Sequence, residues 1–194
     1  DPNDSQLLQD SELERQLCAF DYTYEINWLR QLLTTSGSPV VFSHNDLSKG
    51  NILIPDDSTA YADGMVFIDY EWAHYNYRGF DFGNYFCKFV FNFPDPDYPR
   101  VCMDLNAFPK DYDKRLFIKE YIKHSKSLTN DKQTEDQVVK EADYFSLASH
   151  LMWALWSVNK AHLSKLDVYA ENGKDRLTAY MAHKEYLIRE YHIK

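Results

Sequence analysis

Apolar residues recur every three or four positions near the start of the chain, which is typical of a helix with one buried face. Ser11 and Glu14 have the spacing of a capping box, which predicts where this helical stretch opens. Gly37 and Pro39 predict where it stops. The apolar positions are Leu13, Leu17, Phe20, Tyr24, Ile26, Leu29 and Leu33.

Three short apolar runs follow, each shorter than an average helix. Residues 40–42 predict a short buried strand. Residues 51–54 and 65–68 predict two more strands, and the polar segment between them, with Pro55 and Gly64, indicates a hairpin with a loose loop.

The remainder of the chain is predicted to be helical apart from one loop. A helix is expected after Gly79, and four prolines between residues 92 and 109 predict the loop. Further helices are predicted over residues 112–126, 135–163 and 174–191. The predicted fold class is therefore α+β, a mostly helical lobe with a few short strands.

Charge and cysteine usage narrow the functional classes. The net charge of −9 disfavours binding to a phosphate backbone, so no nucleic-acid partner is expected. Three widely spaced cysteines without a CxxC pattern predict neither a disulfide framework nor a zinc site and favour a reducing, cytoplasmic location. No apolar run is long enough for a transmembrane helix.

The strongest chemical signal is the stretch from His44 to Asn51, which lies between two predicted strands. Asp46 and Asn51 stand five residues apart, the spacing at which protein kinases place a catalytic aspartate and a metal-binding asparagine. Asp69 follows the strand run 65–68, where kinases place the aspartate that binds Mg²⁺. Amide and carboxylate oxygens are the hard ligands that Mg²⁺ prefers.

Four runs then resemble the choline/ethanolamine kinase family: residues 41–46, 50–53, 67–71 and 75–86. The similarity continues through Trp153 and Trp156 to Tyr180. The resemblance implies that residues 1–194 form the C-terminal catalytic lobe of a protein-kinase-like fold, and that the N-terminal ATP-grasping lobe is absent from this chain. No glycine-rich GxGxxG pattern occurs in the sequence, as this expectation requires.

The resemblance also implies roles for individual residues. ATP is the expected co-substrate and Mg²⁺ the expected cofactor, with Asp46 orienting the substrate hydroxyl and Asn51 and Asp69 holding the metal. Glu71 is expected near the metal or the substrate amine. Structural support of the loop is expected from His44, Arg78 and Asp81.

An aromatic wall around the cationic head of the amino alcohol is a further implication. Trp153 and Trp156 stand three residues apart on a predicted helix and therefore share a face. A quaternary ammonium donates no hydrogen bonds, so ring faces bind it best. Additional candidates for the wall are Trp72, Phe93 and Tyr169.

One position departs from the family pattern, because Lys88 stands where choline kinases usually carry an acidic residue. A lysine close to a cationic substrate would repel it, so choline specificity stays open and ethanolamine is an alternative. A non-catalytic homologue acting as a binding or regulatory subunit is a second hypothesis, and a kinase for aminoglycosides a third. The residues from 75 to 86 argue against the third. A homodimer is the expected assembly.

Overall fold

The protein is described by a computed structural model that covers residues 15, 17, 19–55, 64–92, 101–125, 134–164 and 166–193. The predicted capping box at residues 11–14, most of the predicted hairpin loop and Phe93 lie outside the described residues. No helix among the residues described is long and apolar enough to cross a membrane.

Helices dominate the described residues, and the strands are short, which confirms the predicted fold class. The helices are α1 (Tyr22–Thr34), α2 (Arg78–Lys88), α3 (Asp111–His124), α4 (Glu135–Ser164) and α5 (Asp167–Glu190). The strands are β1 (Val40–Ser43), β2 (Ile52–Leu53), β3 (Val66–Phe67), β4 (His74–Tyr77), β5 (Phe91–Asn92) and β6 (Cys102–Met103). Short 3-10 turns lie at Lys49–Asn51, Tyr70–Trp72 and Leu105–Ala107.

The strands form three antiparallel pairs, β1 with β4, β2 with β3 and β5 with β6. In the first pair Val40 lies opposite Tyr77 and Ser43 lies opposite His74. The pairing of β2 with β3 confirms the predicted hairpin.

The chain divides into two compact units. The first contains residues 1–35, 90–107 and 147–194, and the second contains residues 36–89 and 108–146. Helix α4 therefore contributes its first twelve residues, 135–146, to the second unit and its remaining residues to the first.

In the second unit, α2 lies against the N-terminal part of α4. A methyl group on Gly83 would come within 2.4 Å of the Ser146 backbone nitrogen, so the two helices approach closely at this glycine. Next to this contact is an apolar cluster of buried side chains, and these are Phe82, Phe86, Ile118, Val138, Val139 and Ala142.

In the first unit, α1 and α5 share a buried polar contact. The Glu25 carboxylate accepts hydrogen bonds from the Tyr180 hydroxyl at 2.6 Å and from Lys184 Nζ at 2.5 Å. The Lys184 ammonium also lies 4.0 Å from the ring centre of Trp28. These contacts fix α5 against α1.

Three predicted elements differ from the structure. The helical stretch opening at residue 11 does not continue unbroken to residue 33, because the Asp21 carboxylate accepts a hydrogen bond from the Tyr24 amide and caps a separate helix. Helix α5 begins at Asp167 rather than Lys174 and contains Gly173, which packs close to Ser157 and Val158 of α4. The predicted loop 92–109 contains part of the β5–β6 pair.

The predicted burial of strand 40–42 is also wrong. Val40 and Phe42 are 59% and 64% exposed. Their partners across the pair, Tyr77 and Tyr75, are exposed as well. One face of the β1–β4 pair is therefore open to solvent in the part of the chain that the structure describes.

Candidate active site

The loop from His44 to Asn51 leaves the end of β1 and closes in the 3-10 turn Lys49–Asn51. Asn45 has a positive φ of 64°. Asparagine enters this left-handed region more easily than most residues. The reversal at Asn45 turns the chain so that Asp46 and the residues after it leave the direction of the strand.

Asn45 is buried and joins three segments of the second unit. Its side-chain NH2 lies 3.0 Å from the Trp72 carbonyl oxygen and 3.2 Å from the Ser43 carbonyl oxygen. Its side-chain oxygen accepts a hydrogen bond from the Asn76 amide group at 2.8 Å. The sequence alone indicates no role for Asn45, although its place inside the motif is the available signal.

His44 connects this loop to the residue that precedes Asp69. Its Nε2–H donates to the Ile68 carbonyl oxygen at 2.9 Å, and its Nδ1 accepts from the Asp46 amide at 3.4 Å. One donating and one accepting nitrogen correspond to a single neutral tautomer of the ring. The Tyr70 ring packs against His44 with a centroid distance of 4.9 Å.

Helix α2 holds the loop through its own polar face. The Asp81 carboxylate accepts hydrogen bonds from the His44 and Asn45 amides at 2.8 and 2.7 Å. One turn further, the Asn84 side chain donates to the Asn45 carbonyl oxygen at 3.3 Å. Burial raises the pKa of Asp81 above its usual value, and the two amide hydrogen bonds oppose that rise.

Lys88, in the last turn of α2, forms an ion pair with Asp46. The distance from Lys88 Nζ to Asp46 Oδ1 is 2.7 Å, and the two side chains are 20% and 18% exposed. The sequence singled out Lys88 as a departure from the family pattern but did not predict this partner. The carboxylate expected to meet the substrate hydroxyl thus contacts a lysine ammonium.

The two residues expected to bind metal, Asn51 and Asp69, are brought close together by a backbone hydrogen bond. The Ile68 amide donates to the Asn51 carbonyl oxygen at 3.0 Å, extending the β2–β3 pairing, and Asp69 is the next residue along the chain. The Asn51 side-chain NH2 donates to the Asp46 carbonyl oxygen at 3.0 Å. The oxygen of that amide is consequently the atom of Asn51 that suits a cation.

Asp69 also suits a cation. Its carboxylate is exposed, and its backbone is left-handed with φ of 67°. No cluster of three or more His, Cys, Asp or Glu side chains arranged for a metal exists among the described residues. Mg²⁺ commonly uses only one or two protein oxygens together with water and substrate phosphates, so Asn51 and Asp69 fit this ion.

The other predicted site residues of the second unit differ in their burial. Glu71 and Trp72 are exposed in the 3-10 turn after Asp69, and the Trp72 carbonyl oxygen is a partner of Asn45. Arg78 is fully buried and forms an ion pair with Glu141 of α4, at 2.5 Å. This ion pair anchors the start of α2, the helix that carries Asp81.

In the first unit, three of the predicted wall residues form one aromatic cluster. The ring centres of Trp153 and Trp156 are 5.6 Å apart at 74°, and those of Trp156 and Tyr169 are 5.9 Å apart at 81°. All three side chains are half-buried. Rings set nearly at right angles pack edge to face, and a ring face that such packing leaves uncovered can bind an alkylammonium ion.

Known proteins resemble most of this chain. The sequence model described as choline/ethanolamine kinase matches residues 4–181 of the chain. Mouse choline kinase alpha is 33% identical over 180 residues, covering 89% of this chain and 40% of that protein. The human choline/ethanolamine kinase is 34% identical over 166 residues, covering 82% of this chain and 42% of that protein.

A solved structure also matches. The choline kinase of Cryptosporidium parvum superposes with a TM-score of 0.71 at 25% identity, over 94% of this chain and 55% of that protein. The chain therefore spans well under two thirds of the length of each of these relatives.

Proposed function

Because the chain belongs to the choline/ethanolamine kinase family, we propose that the protein transfers the γ-phosphoryl group of ATP to the hydroxyl of choline or ethanolamine. This reaction supplies headgroups for phospholipid synthesis. The observation that supports it most directly is the hydrogen-bonded loop that links Asp46 to Asn51 and, through His44, to the residue before Asp69.

The loop contributes to the proposed reaction mainly by positioning the reacting groups. The substrate hydroxyl oxygen forms a bond to the γ-phosphorus, and the bond between that phosphorus and the bridging oxygen of ADP breaks. The hydroxyl proton passes to the Asp46 carboxylate and then to solvent, while the bridging electron pair stays on ADP. Because the transition state is loose, orientation and charge neutralisation contribute more than a strong base.

The bound metal would neutralise charge on the ATP phosphates. The amide oxygen of Asn51 and the carboxylate of Asp69 are the protein groups that would hold it. His44 and the β2–β3 pairing keep these two residues in register with Asp46. The same backbone contacts thus support both the hydroxyl-orienting and the cation-binding groups.

We assign recognition of the ammonium group to the cluster of Trp153, Trp156 and Tyr169. Its perpendicular rings suit a trimethylammonium group, which offers methyl groups and a delocalised positive charge. A primary ammonium would rely more on carboxylate or carbonyl acceptors, so the cluster favours choline over ethanolamine. Association into a homodimer in the cytoplasm belongs to the same proposal and rests on the family resemblance and the cysteine usage.

Replacing the carboxylate at position 46 tests the proposed transfer. In a protein extended to the length of its relatives, Asp46→Asn should lower kcat about 10²–10⁴-fold because it removes the group that orients and accepts the hydroxyl proton. The measurement is ATP-dependent formation of the phosphorylated amino alcohol. Asp113→Asn, at an exposed position of α3, is the matched control. Undetectable transfer to either amino alcohol by the unaltered protein would support the non-catalytic hypothesis instead.

Changing the aromatic cluster tests the assignment of the ammonium site. Trp156→Leu should reduce kcat/KM for choline about 2–30-fold through lost cation–π contact. The reduction for ethanolamine should be smaller, so the ratio of the two values is the informative quantity. Tyr112→Leu, on a side chain that is 75% exposed, is the control. An unchanged ratio would contradict the assignment.

A further inference from the structure

Three side chains of α2 contact three consecutive residues of the catalytic loop. Asp81 and Asn84 bind the backbone of His44 and Asn45, and Lys88 binds the side chain of Asp46. Positions 81, 84 and 88 share one face of the helix because they differ by three and four residues. Lys88 is therefore the last member of a series that follows the loop residue by residue.

The Lys88 backbone has little freedom to leave this position. Gly83 fits α2 against α4 with no room for a methyl group, and the buried Arg78–Glu141 ion pair fixes the start of the helix. A cation in the last turn of a helix is also favoured by the helix dipole. What remains mobile is the four-carbon side chain, which can turn its ammonium between neighbouring acceptors.

The ion pair sets how far the ammonium lies from the reacting atoms. In the proposed reaction the substrate hydroxyl hydrogen-bonds to the Asp46 carboxylate. With Lys88 Nζ 2.7 Å from Asp46 Oδ1, a hydroxyl bonded to that same oxygen would lie at most about 5.5 Å from the ammonium. The phosphoryl group that this oxygen attacks therefore falls within reach of the lysine side chain.

We propose that Lys88 binds the γ-phosphoryl group during transfer, an inference that rests on the proposed function. Its ammonium pairs with Asp46 in the structure. With ATP bound, the ammonium donates hydrogen bonds to the γ-phosphate oxygens. It keeps them while the hydroxyl oxygen bonds to phosphorus and the bond to ADP breaks. Charge on the equatorial oxygens is thereby neutralised where it develops.

Binding measurements separate this role from simple support of Asp46. A group that contacts the γ-phosphate raises the affinity of the protein for ATP but not for ADP, since ADP lacks that phosphate. For Lys88→Met in the extended protein, the affinity for the Mg²⁺ complex of a β,γ-imido ATP analogue should fall about 10-fold or more. The affinity for Mg²⁺–ADP should change less than about 2-fold.

Kinetics supply a second readout. Lys88→Met should lower kcat about 100-fold with little change in the KM for the amino alcohol, and Lys88→Arg should recover part of the loss. Lys119→Met, at an exposed position of α3, makes the same chemical change away from the loop and should match the unaltered protein. Thermal unfolding checks that each variant is folded, and Lys88→Gln replaces the methionine variant if that protein aggregates.

Three results would overturn the assignment. The first is an equal loss of affinity for the ATP analogue and for ADP. The second is an unchanged kcat in Lys88→Met. The third is an increased kcat, which would mean that the ion pair restrains Asp46. If the unaltered protein transfers no phosphoryl group and Lys88→Met still loses affinity for the ATP analogue alone, the proposed function fails while the Lys88 contact stands.

Discussion

At the scale of residues, the spacing of Asp46, Asn51 and Asp69 was readable from the sequence because it matches the kinase pattern, and the roles of the three residues stay a prediction. The role of Asn45 was not readable. Its partners Trp72 and Asn76 are 27 and 31 residues further along the chain. A single sequence does not show which distant carbonyl groups will surround an amide. The pairing of Lys88 with Asp46, across 42 residues, was hidden for the same reason.

His150 should make the stability of the protein depend on pH. This side chain is fully buried on α4, and its Nε2 lies 3.0 Å from Nδ1 of His183. Burial, and then the charges of His183 and Arg176, hold the pKa of His150 well below its usual value of 6.5. The folded protein therefore keeps His150 neutral at pH values where the unfolded chain binds a proton.

The sign of the effect follows from that difference. Below about pH 6.5 the unfolded state binds more protons than the folded state. As the pH decreases through this range, His150 therefore lowers the free energy of unfolding by up to about 1.4 kcal/mol per pH unit. His150→Gln should flatten this fall in urea denaturation curves taken between pH 7.5 and 5.5. The control is His162→Gln, at an exposed position of the same helix. If the two variants show the same slope, His150 is not the source.

At the scale of elements, α2 links the apolar core to the catalytic loop. Its apolar face packs in the core cluster through Phe82 and Phe86, and its polar face carries Asp81 and Lys88. Its helical periodicity was predictable. The helix against which α2 packs was not predictable, because the close approach at Gly83 depends on backbone atoms of α4. The start of α5 was mispredicted for a similar reason, since packing on α4 outweighs the low helix propensity of Gly173.

A methyl group at Gly83 should disturb both stability and activity. Its carbon would lie 2.4 Å from the Ser146 nitrogen and 2.6 Å from the Phe145 carbonyl carbon, and backbone atoms cannot turn aside as side chains do. Gly83→Ala should lower the free energy of unfolding by about 1–3 kcal/mol and reduce kcat, because α2 would carry Asp81 and Lys88 outward with it.

Chemical denaturation and, in the protein extended to the length of its relatives, steady-state kinetics measure the two effects. Gly173→Ala provides the matched control, since its added carbon would meet neighbours at 3.4 Å or more, an ordinary contact distance. That variant should be neutral or slightly more stable because alanine favours a helix. Equal stability of both alanine variants would contradict the tight contact at Gly83.

At the scale of the whole molecule, the fold class and the family were predictable because long helical patterns and contiguous motifs are local properties of a sequence. The exposure of Val40 and Phe42 was not, since an apolar run by itself does not show whether another element covers it. The chain spans 40% of the mouse relative, and no glycine-rich GxGxxG pattern occurs in its sequence.

The 194 residues alone are expected to bind nucleotide weakly and to turn over negligibly. A protein extended to the length of its relatives should bind the Mg²⁺ complex of ATP at least about 10-fold more tightly if the added residues supply the charge-assisted phosphate contacts of a kinase. Titration calorimetry on both proteins measures the difference. Equal affinities would show that these residues already hold the nucleotide unaided.

The series of contacts between α2 and the loop ties each loop residue to a fixed position along the helix. Each added residue turns an α-helix by about 100° and advances it by about 1.5 Å. One residue inserted between Asp81 and Lys88 would leave the contacts of Asp81 in place and would rotate Lys88 away from Asp46. Over this stretch the number of residues must therefore stay constant if the loop and the helix are to stay in register.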